Sequence, residues 1–292
     1  MKPPTIFLTG ARGQVGGELT RLLARHGTVV ATDVDSLDLT DVDALRAAVR
    51  AAKPALIVNA AAYTAVDLAE READLAYAVN ARAPGILAEE ARHLGAVLIH
   101  YSTDYVFDGA GSTPYGEDAP TAPLNVYGQS KLEGERAVAA SGAHALVLRT
   151  SWVYGLRGRN FLLTIRRLAA ERDELRIVAD QTGTPNWSRT LAQATADLVA
   201  RGPAYLAERA GLYHLSSTGA TTWHGFATAI VGDVAKPRVL PIGSAEYPTP
   251  ARRPAYGVLA TARCRDAFGF ELPSWRDALA ACLASSAPAS RD

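Results

Sequence analysis

Short apolar runs alternate with helical apolar spacing along most of this chain. Residues 5–9 (Thr-Ile-Phe-Leu-Thr), 28–32 (Thr-Val-Val-Ala-Thr), 55–59 (Ala-Leu-Ile-Val-Asn), 96–101 and 143–150 read as buried strands. Each is too short for a helix and rich in aliphatic or β-branched residues. Between them Leu19, Leu22 and Leu23, and then Leu45 and Val49, recur at helical spacing. Asp41 reads as the cap of a helix over 41–52 that Pro54 ends, and helices follow over 66–80 and 84–94. Further on, 160–172 predicts a basic amphipathic helix with Phe161, Ile165 and Leu168 on one face. A strand over 175–178, a helix over 188–200, a returning strand over 211–216 and a helix over 223–231 come next. Strands and helices in this alternation predict an α/β fold, a Rossmann-type doubly wound parallel sheet with a smaller C-terminal unit. The stretch 109–124 carries too much glycine and proline for a regular element, and 237–254 is proline-rich.

The first strand runs into Gly10-Ala11-Arg12-Gly13-Gln14-Val15-Gly16 and then into a helix. Glycines at that spacing let the backbone turn tightly and approach a pyrophosphate held by the helix N-terminus. The strand before and the helix after are the context this motif requires. Asp33 ends the second strand at the expected place of a ribose 2′-hydroxyl partner, which alone favours NADH. Arg12, in the turn, is placed to meet a 2′-phosphate and would favour NADPH. Asp38 and Leu39 are candidates for the adenine end. Asp33, Asp35, Asp38 and Asp41 read equally as loop solvators and caps. The third strand ends in Ala60-Ala61-Ala62-Tyr63-Thr64, small enough at first to leave room for a cofactor across the sheet edge. Asn80, polar among apolar residues, reads as a backbone tie, and His214 as a packed core histidine.

The fourth strand ends in Tyr101-Ser102-Thr103-Asp104, which puts hydroxyls at the ligand crevice of such a sheet. Tyr127 and Lys131 stand four apart and so share one face of a helix. An ammonium that close lowers a phenol pKa. The pair is common by itself. Together with Thr103 and the glycine turn it points to hydride chemistry on a ketone. Thr103 then holds the carbonyl oxygen, Tyr127 protonates the alkoxide, and Lys131 tunes Tyr127 and holds the nicotinamide ribose.

Composition narrows the classes. The 292 residues carry 30 Lys+Arg and 30 Asp+Glu, a net charge of zero. That argues against a nucleic-acid or membrane-surface partner. No apolar run is long enough to span a bilayer, and the N-terminal segment is too short for a signal peptide. Cys264 and Cys282 form neither a metal cluster nor a disulfide framework, so a cytoplasmic protein is expected.

Several stretches together resemble the dTDP-4-dehydrorhamnose reductases, extended members of the short-chain dehydrogenase/reductase superfamily. They are Gly13–Gly16, 59–67 (Asn-Ala-Ala-Ala-Tyr-Thr-Ala-Val-Asp), 101–109, 123–131, 149–154, Gly158-x-Asn160-Phe161 and Asp180-Gln181-x-Gly183-x-Pro185. The resemblance thins toward the C-terminus. It implies reduction of the 4-keto group of dTDP-4-dehydro-L-rhamnose by NADPH or NADH, the last step of dTDP-L-rhamnose synthesis. It implies Thr103, Tyr127 and Lys131 as catalytic, and Ala62, Tyr63, Thr64 and Tyr101 as cofactor contacts. Thr103, Asp104, Trp152 and Arg253 would meet the dTDP-sugar, Arg253 or its neighbour Arg252 through the diphosphate. The implied division is an NAD(P)-binding domain over 1–155 plus about 188–220, and a sugar-nucleotide domain over about 156–187 plus 221–292. Some members bind Mg²⁺ at a dimer contact through acidic residues, and Glu18 stands at one such place. A single carboxylate is not a metal site, so no metal residue is assigned, and the chain is expected as a monomer or homodimer. Tyr256-Gly257 departs from the Asn-Ser of the family pattern, which weakens the sugar assignment. Alternatives are a reductase of another dTDP-4-keto-deoxysugar, an epimerase or 4,6-dehydratase, or a non-catalytic NADP-binding regulatory subunit. Asp104-Tyr105 in place of Asp-Glu disfavours the dehydratase. The intact Thr103, Tyr127 and Lys131 disfavour the subunit.

Overall fold

A computed structural model describes residues 3–233 and 235–286. Its first half alternates as the apolar pattern predicts. In chain order come β1 (Thr5–Thr9), α1 (Gln14–Leu23), β2 (Thr28–Thr32), α2 (Val42–Ala52) and β3 (Leu56–Asn59). Asp41 does cap α2, its side chain accepting from the Ala44 N–H. The helix expected over 66–80 is instead broken into α3 (Val66–Ala69), α4 (Ala73–Tyr77) and a π turn over Ala78–Arg82. The turn runs straight into α5 (Ala83–Leu94). Side-chain bonds account for the break. Tyr63 donates to Glu72 at 2.6 Å, and Glu70 accepts from the Val126 N–H at 2.9 Å. Both pull the intervening residues away from a helical path. Then follow β4 (Val97–Thr103), a single 3-10 turn over Asp104–Val106, α6 (Val126–Ala140) and β5 (Ala145–Thr150).

The second half supplies β6 (Val153–Tyr154), α7 (Phe161–Glu171), β7 (Glu174–Val178), β8 (Thr182–Gly183) and β9 (Asn186–Trp187). After them come α8 (Ser188–Ala200), α9 (Pro203–Ala207), β10 (Gly211–His214), β11 (Thr221–Thr222) and α10 (Trp223–Val231). The chain ends with β12 (Arg238–Ile242), α11 (Ala262–Phe268) and α12 (Trp275–Ser286). The proline-rich stretch thus opens with a short strand. β12 pairs in parallel with β7 alone. A two-stranded ribbon is all edge, so Pro241 costs it no ladder bond that a central strand would need.

Six strands form one parallel sheet in the order β10-β5-β4-β3-β1-β2. Every residue of β4 and β5 is buried, as strands covered on both faces must be. Ile6, Leu8, Ile99 and Leu148 face one layer, with α1 and α8 packed on them through Leu19, Leu23, Leu191 and Leu198. Phe7, Ile57, Leu98 and Val147 face the other, under Leu45, Leu87 and Val138 of α2, α5 and α6. A third cluster joins α7, α10 and α12 through Leu162, Ile165, Phe226, Ile230 and Leu279. Cys264 and Phe268 of α11 pack with the sheet, although the chain there was expected in the sugar-nucleotide domain. The expected fraying over 285–292 falls mostly outside the described residues, and Ser285 and Ser286 complete α12. Among the described residues no helix is long and apolar enough to cross a membrane.

Candidate active site

The chain steps from β1 to β2 on one side and then back to β3 on the other. Such a reversal opens a crevice at the carboxyl ends of the two strands that flank it. A cleft of about 730 Å³ lies there. Gly10 ends β1 with φ +70°, and a Cβ on it would stand 2.7 Å from the Ala61 N atom. The glycine turn and the strand-β3 exit therefore meet backbone to backbone, and only glycine fits. Gly13 precedes α1 without any side-chain cap, so the first N–H groups of the helix remain to be satisfied by a ligand. Gly16 does not line the cleft. A Cβ there would come 1.9 Å from the Gly10 carbonyl oxygen, so it serves the packing of the turn on its own helix.

Gly10, Arg12, Gly13, Gln14, Val15, Asp33, Asp38, Leu39, Ala62, Tyr63, Thr64, Tyr101, Tyr127 and Lys131 all line this cleft. Asp33 accepts from the Arg12 backbone N–H at 2.7 Å, while the Arg12 guanidinium pairs with Asp35. Asn80 accepts from the Tyr63 N–H at 2.9 Å and donates to the Tyr63 carbonyl and to Ser130, each at 3.0 Å. The tie read from its polarity is real, and the π turn aims it. Tyr101 lines the cleft without presenting its hydroxyl to it. Its hydroxyl is turned into the core against Thr195 of α8 at 2.5 Å. Sequence reasoning missed Thr150, Gly158 and Arg159, which also line the cleft. The signal was there in Gly158-x-Asn160. Gly158 has φ +72°, and Asn160 donates to Gln14 of the glycine turn at 2.9 Å.

Tyr127 and Lys131 line one part of the cleft; Thr103 does not line it but is buried with its hydroxyl beside Tyr127. Asn125 caps α6 by accepting from the Gly128 N–H, and its amide donates to the Arg252 carbonyl at 2.8 Å. The start of the helix that carries Tyr127 is thereby fixed from both sides. Burial pushes the Tyr127 phenol up to about 12, the Thr103 hydroxyl beside it works the other way, and the Asp104 charge adds to the rise. Burial pulls the Lys131 ammonium down to about 8, against the pull of Glu135. The expected lowering of Tyr127 by Lys131 is thus not what the geometry gives. Lys131 Nζ is turned instead to the Tyr101 carbonyl at 2.6 Å, with His100 Nε2 at 3.4 Å.

The residues expected at the sugar are differently engaged. Asp104 is buried, accepts from the Thr103 hydroxyl at 3.1 Å, and burial pushes its carboxyl up to about 7. A Cβ on Gly257 would lie 2.4 Å from its Oδ2, so the Asp104 carboxyl packs directly on the backbone at Gly257. Trp152 holds a left-handed φ of +43° and stacks on Trp223 at 3.6 Å, and a Cβ on Gly183 would touch its indole. Both ring faces are covered, and only an edge is left for a ligand. Arg253 forms a two-pronged pair with Asp67, both bonds near 2.8–2.9 Å. Glu18 accepts from Arg21 at 3.1 Å and from Arg189 at 3.2 Å. A carboxylate flanked by two guanidiniums is the wrong donor set for Mg²⁺. Among the described residues no group of three or more acidic, His or Cys side chains could hold a metal.

The fold and this set of side chains define a nicotinamide-dependent oxidoreductase of the short-chain type. Residues 4–287 match the family model described as the RmlD substrate binding domain, and the chain belongs to that family. It is 49% identical over 290 residues to a dTDP-4-dehydrorhamnose reductase of Burkholderia thailandensis, covering 95% of this chain and 97% of the other. The Escherichia coli dTDP-4-dehydrorhamnose reductase is 44% identical over 93% of this chain and 94% of its own. Among solved structures, the Bacillus anthracis dTDP-4-dehydrorhamnose reductase in complex with NADP superposes with a TM-score of 0.91 at 35% identity, covering 98% and 100% of the two chains.

Proposed function

We propose that this chain reduces the 4-keto group of dTDP-4-dehydro-L-rhamnose to give dTDP-L-rhamnose, with Tyr127 as the proton donor. The observation that supports the reading is that Tyr127 and Lys131 line the same cleft as the glycine turn, with the Thr103 hydroxyl beside Tyr127. When bound, the reduced nicotinamide supplies a hydride to the carbonyl carbon. Thr103 holds the carbonyl oxygen, and Tyr127 gives its phenolic proton to the alkoxide that forms. Lys131, lining the same cleft, holds the nicotinamide ribose. Asp33 meets the adenosine ribose, and the free N–H groups of α1 meet the pyrophosphate. Thr103, Tyr127 and Lys131 come from one chain, so the reading needs no second copy.

We assign the third apolar cluster, α7 with α10 and α12, to the sugar-nucleotide side, and the sheet with its two layers to the cofactor. α11 stands apart from that division, because it packs on the sheet. Cytoplasmic work suits a chain with two unpaired buried thiols. The test is absorbance at the reduced nicotinamide band with dTDP-4-dehydro-L-rhamnose made in situ. Substrate-dependent loss of absorbance is expected. Its absence with NADPH and with NADH overturns the assignment in favour of another dTDP-4-keto-deoxysugar.

Both nicotinamides are expected to serve, because Asp35 competes with a 2′-phosphate for the Arg12 guanidinium. Asp35→Asn frees that guanidinium. It is expected to raise the NADPH-to-NADH ratio of kcat/KM about two- to fivefold, the size of an exposed ion pair's effect. An unchanged ratio removes Arg12 from cofactor selection.

A further inference from the structure

Lys131 sits at the end of a buried line of polar side chains that the proposed reduction does not use. Its neighbour His100 is fully buried on β4, and His100 Nδ1 lies 3.0 Å from the Asn59 amide nitrogen. The orientation of Asn59 is fixed by its other contacts. Its Oδ1 accepts from the Ala61 N–H at 3.3 Å and from the Thr9 hydroxyl at 2.6 Å. A backbone N–H only donates, so the oxygen faces Ala61 and the NH₂ faces His100. His100 Nδ1 must then accept. A neutral imidazole carries one proton, which leaves it on Nε2, pointing at Lys131. A charged imidazole would set a second proton against the Asn59 NH₂. Burial and the Lys131 charge both hold His100 well below its usual range.

An N–H aimed at an ammonium opposes donor to donor. Aimed at a neutral amine, it meets a lone pair. Among the described residues the other hydrogen-bond partner of the ammonium is the Tyr101 carbonyl at 2.6 Å. We infer that Thr9, Asn59 and His100 form a positioning chain that fixes the imidazole proton on Nε2 and thereby biases Lys131 toward its neutral amine. The inference rests on the reduction proposed above only for its kinetic consequence. The groups that face Lys131 are His100 and Tyr101 from β4, and Tyr127 and Glu135 from α6. Behind Glu135 stands Arg149 of β5, which pairs with it at 2.6 Å.

The consequence is a proton that enters and leaves Lys131 close to neutral pH. Protonated Lys131 is the stronger donor to the nicotinamide ribose, so kcat/KM falls as pH rises through the Lys131 transition. Removing the opposing N–H moves that alkaline limb upward.

His100→Gln places an amide oxygen near the Nε2 position, where it accepts from the ammonium. His100→Asn keeps an acceptor for Asn59 and withdraws the group facing Lys131. The direct readout is the Cε resonance of lysine in uniformly lysine-labelled protein. Lys2, Lys53 and Lys236 are the only other lysines, and Lys131→Met assigns the signal. The Lys131 transition is expected to rise by about one unit or more in His100→Gln, and by less in His100→Asn. The alkaline limb of kcat/KM is expected to move with it, while thermal unfolding shows an intact fold. Should His100→Gln fail to fold, His100→Asn carries the test. An unmoved Lys131 transition in a folded variant overturns the inference. Lack of turnover by the wild type overturns the reduction instead, and the lysine titration still decides the role of His100.

Discussion

Tyr127→Phe lowers kcat about 10²- to 10⁴-fold, the range expected for loss of one positioned proton donor, and leaves nicotinamide binding close to that of the wild type. The substitution removes one oxygen and keeps the ring. The edge-on contact with Tyr105, at 5.5 Å between centroids, survives, as do the Asn125 cap and the Glu70 contact that seat the helix. Lys131 keeps its bond to the Tyr101 carbonyl. Binding and chemistry are therefore separable here. Cofactor titration by fluorescence reads the first, and loss of nicotinamide absorbance with saturating substrate reads the second. Because burial holds the Tyr127 phenol at about 12, it carries its proton throughout the neutral range. The wild-type profile accordingly shows no limb from this residue below about pH 11, one unit under that value. A variant that turns over within tenfold of the wild type removes Tyr127 from the acid role.

Arg149→Met is expected to cost about 3–5 kcal/mol of folding stability. Arg149 meets Glu135 through two bonds, 2.8 and 2.6 Å, with only 3% and 8% of the two side chains exposed. It also lies over the Phe107 ring at 5.1 Å. Removing it leaves the Glu135 carboxylate in the interior with the Ser102 hydroxyl, at 2.5 Å, as its remaining short contact. An uncompensated buried charge costs far more than the intact pair contributes. The double change Arg149→Met with Glu135→Leu, which removes both charges, is expected to recover most of the loss. Urea unfolding of the two variants makes the comparison. Equal stability of Arg149→Met and wild type would show that water reaches Glu135.

The strands of the sheet were legible because a parallel sheet buries both faces, and 5–9, 55–59 and 143–150 are apolar without alternation. The cleft beside the glycine turn was legible because the residues that form the turn are local. Gly10, Gly13 and the start of α1 are consecutive in the chain. The side chains around the sugar were not, because their partners lie far away in sequence. Nothing near Arg253 announces that its fork is filled by Asp67, 186 positions earlier. Nothing near Trp152 announces the indole of Trp223. The break in 66–80 was hidden for a related reason. The apolar spacing runs on through it, while the bonds that end the helix go to Tyr63 and Val126. α12 escaped notice because its buried face is built partly from small residues, Ala278 and Cys282 beside Leu279.

The Asn125 cap and the Asp67–Arg253 pair have a consequence for how the chain is made. Both join the Tyr127 neighbourhood to residues 252 and 253. With synthesis at roughly 5–20 residues per second, Tyr127 leaves the ribosome on the order of ten seconds before those partners. For the larger part of that interval, until residue 214 is made, β5 also lacks its outer neighbour β10. The nascent chain can close its dinucleotide turn early, but the end of the cleft that handles protons waits for the arrival of the last segment. A chain truncated before residue 252 therefore lacks the contacts from Arg252 and Arg253 that help seat the start of α6.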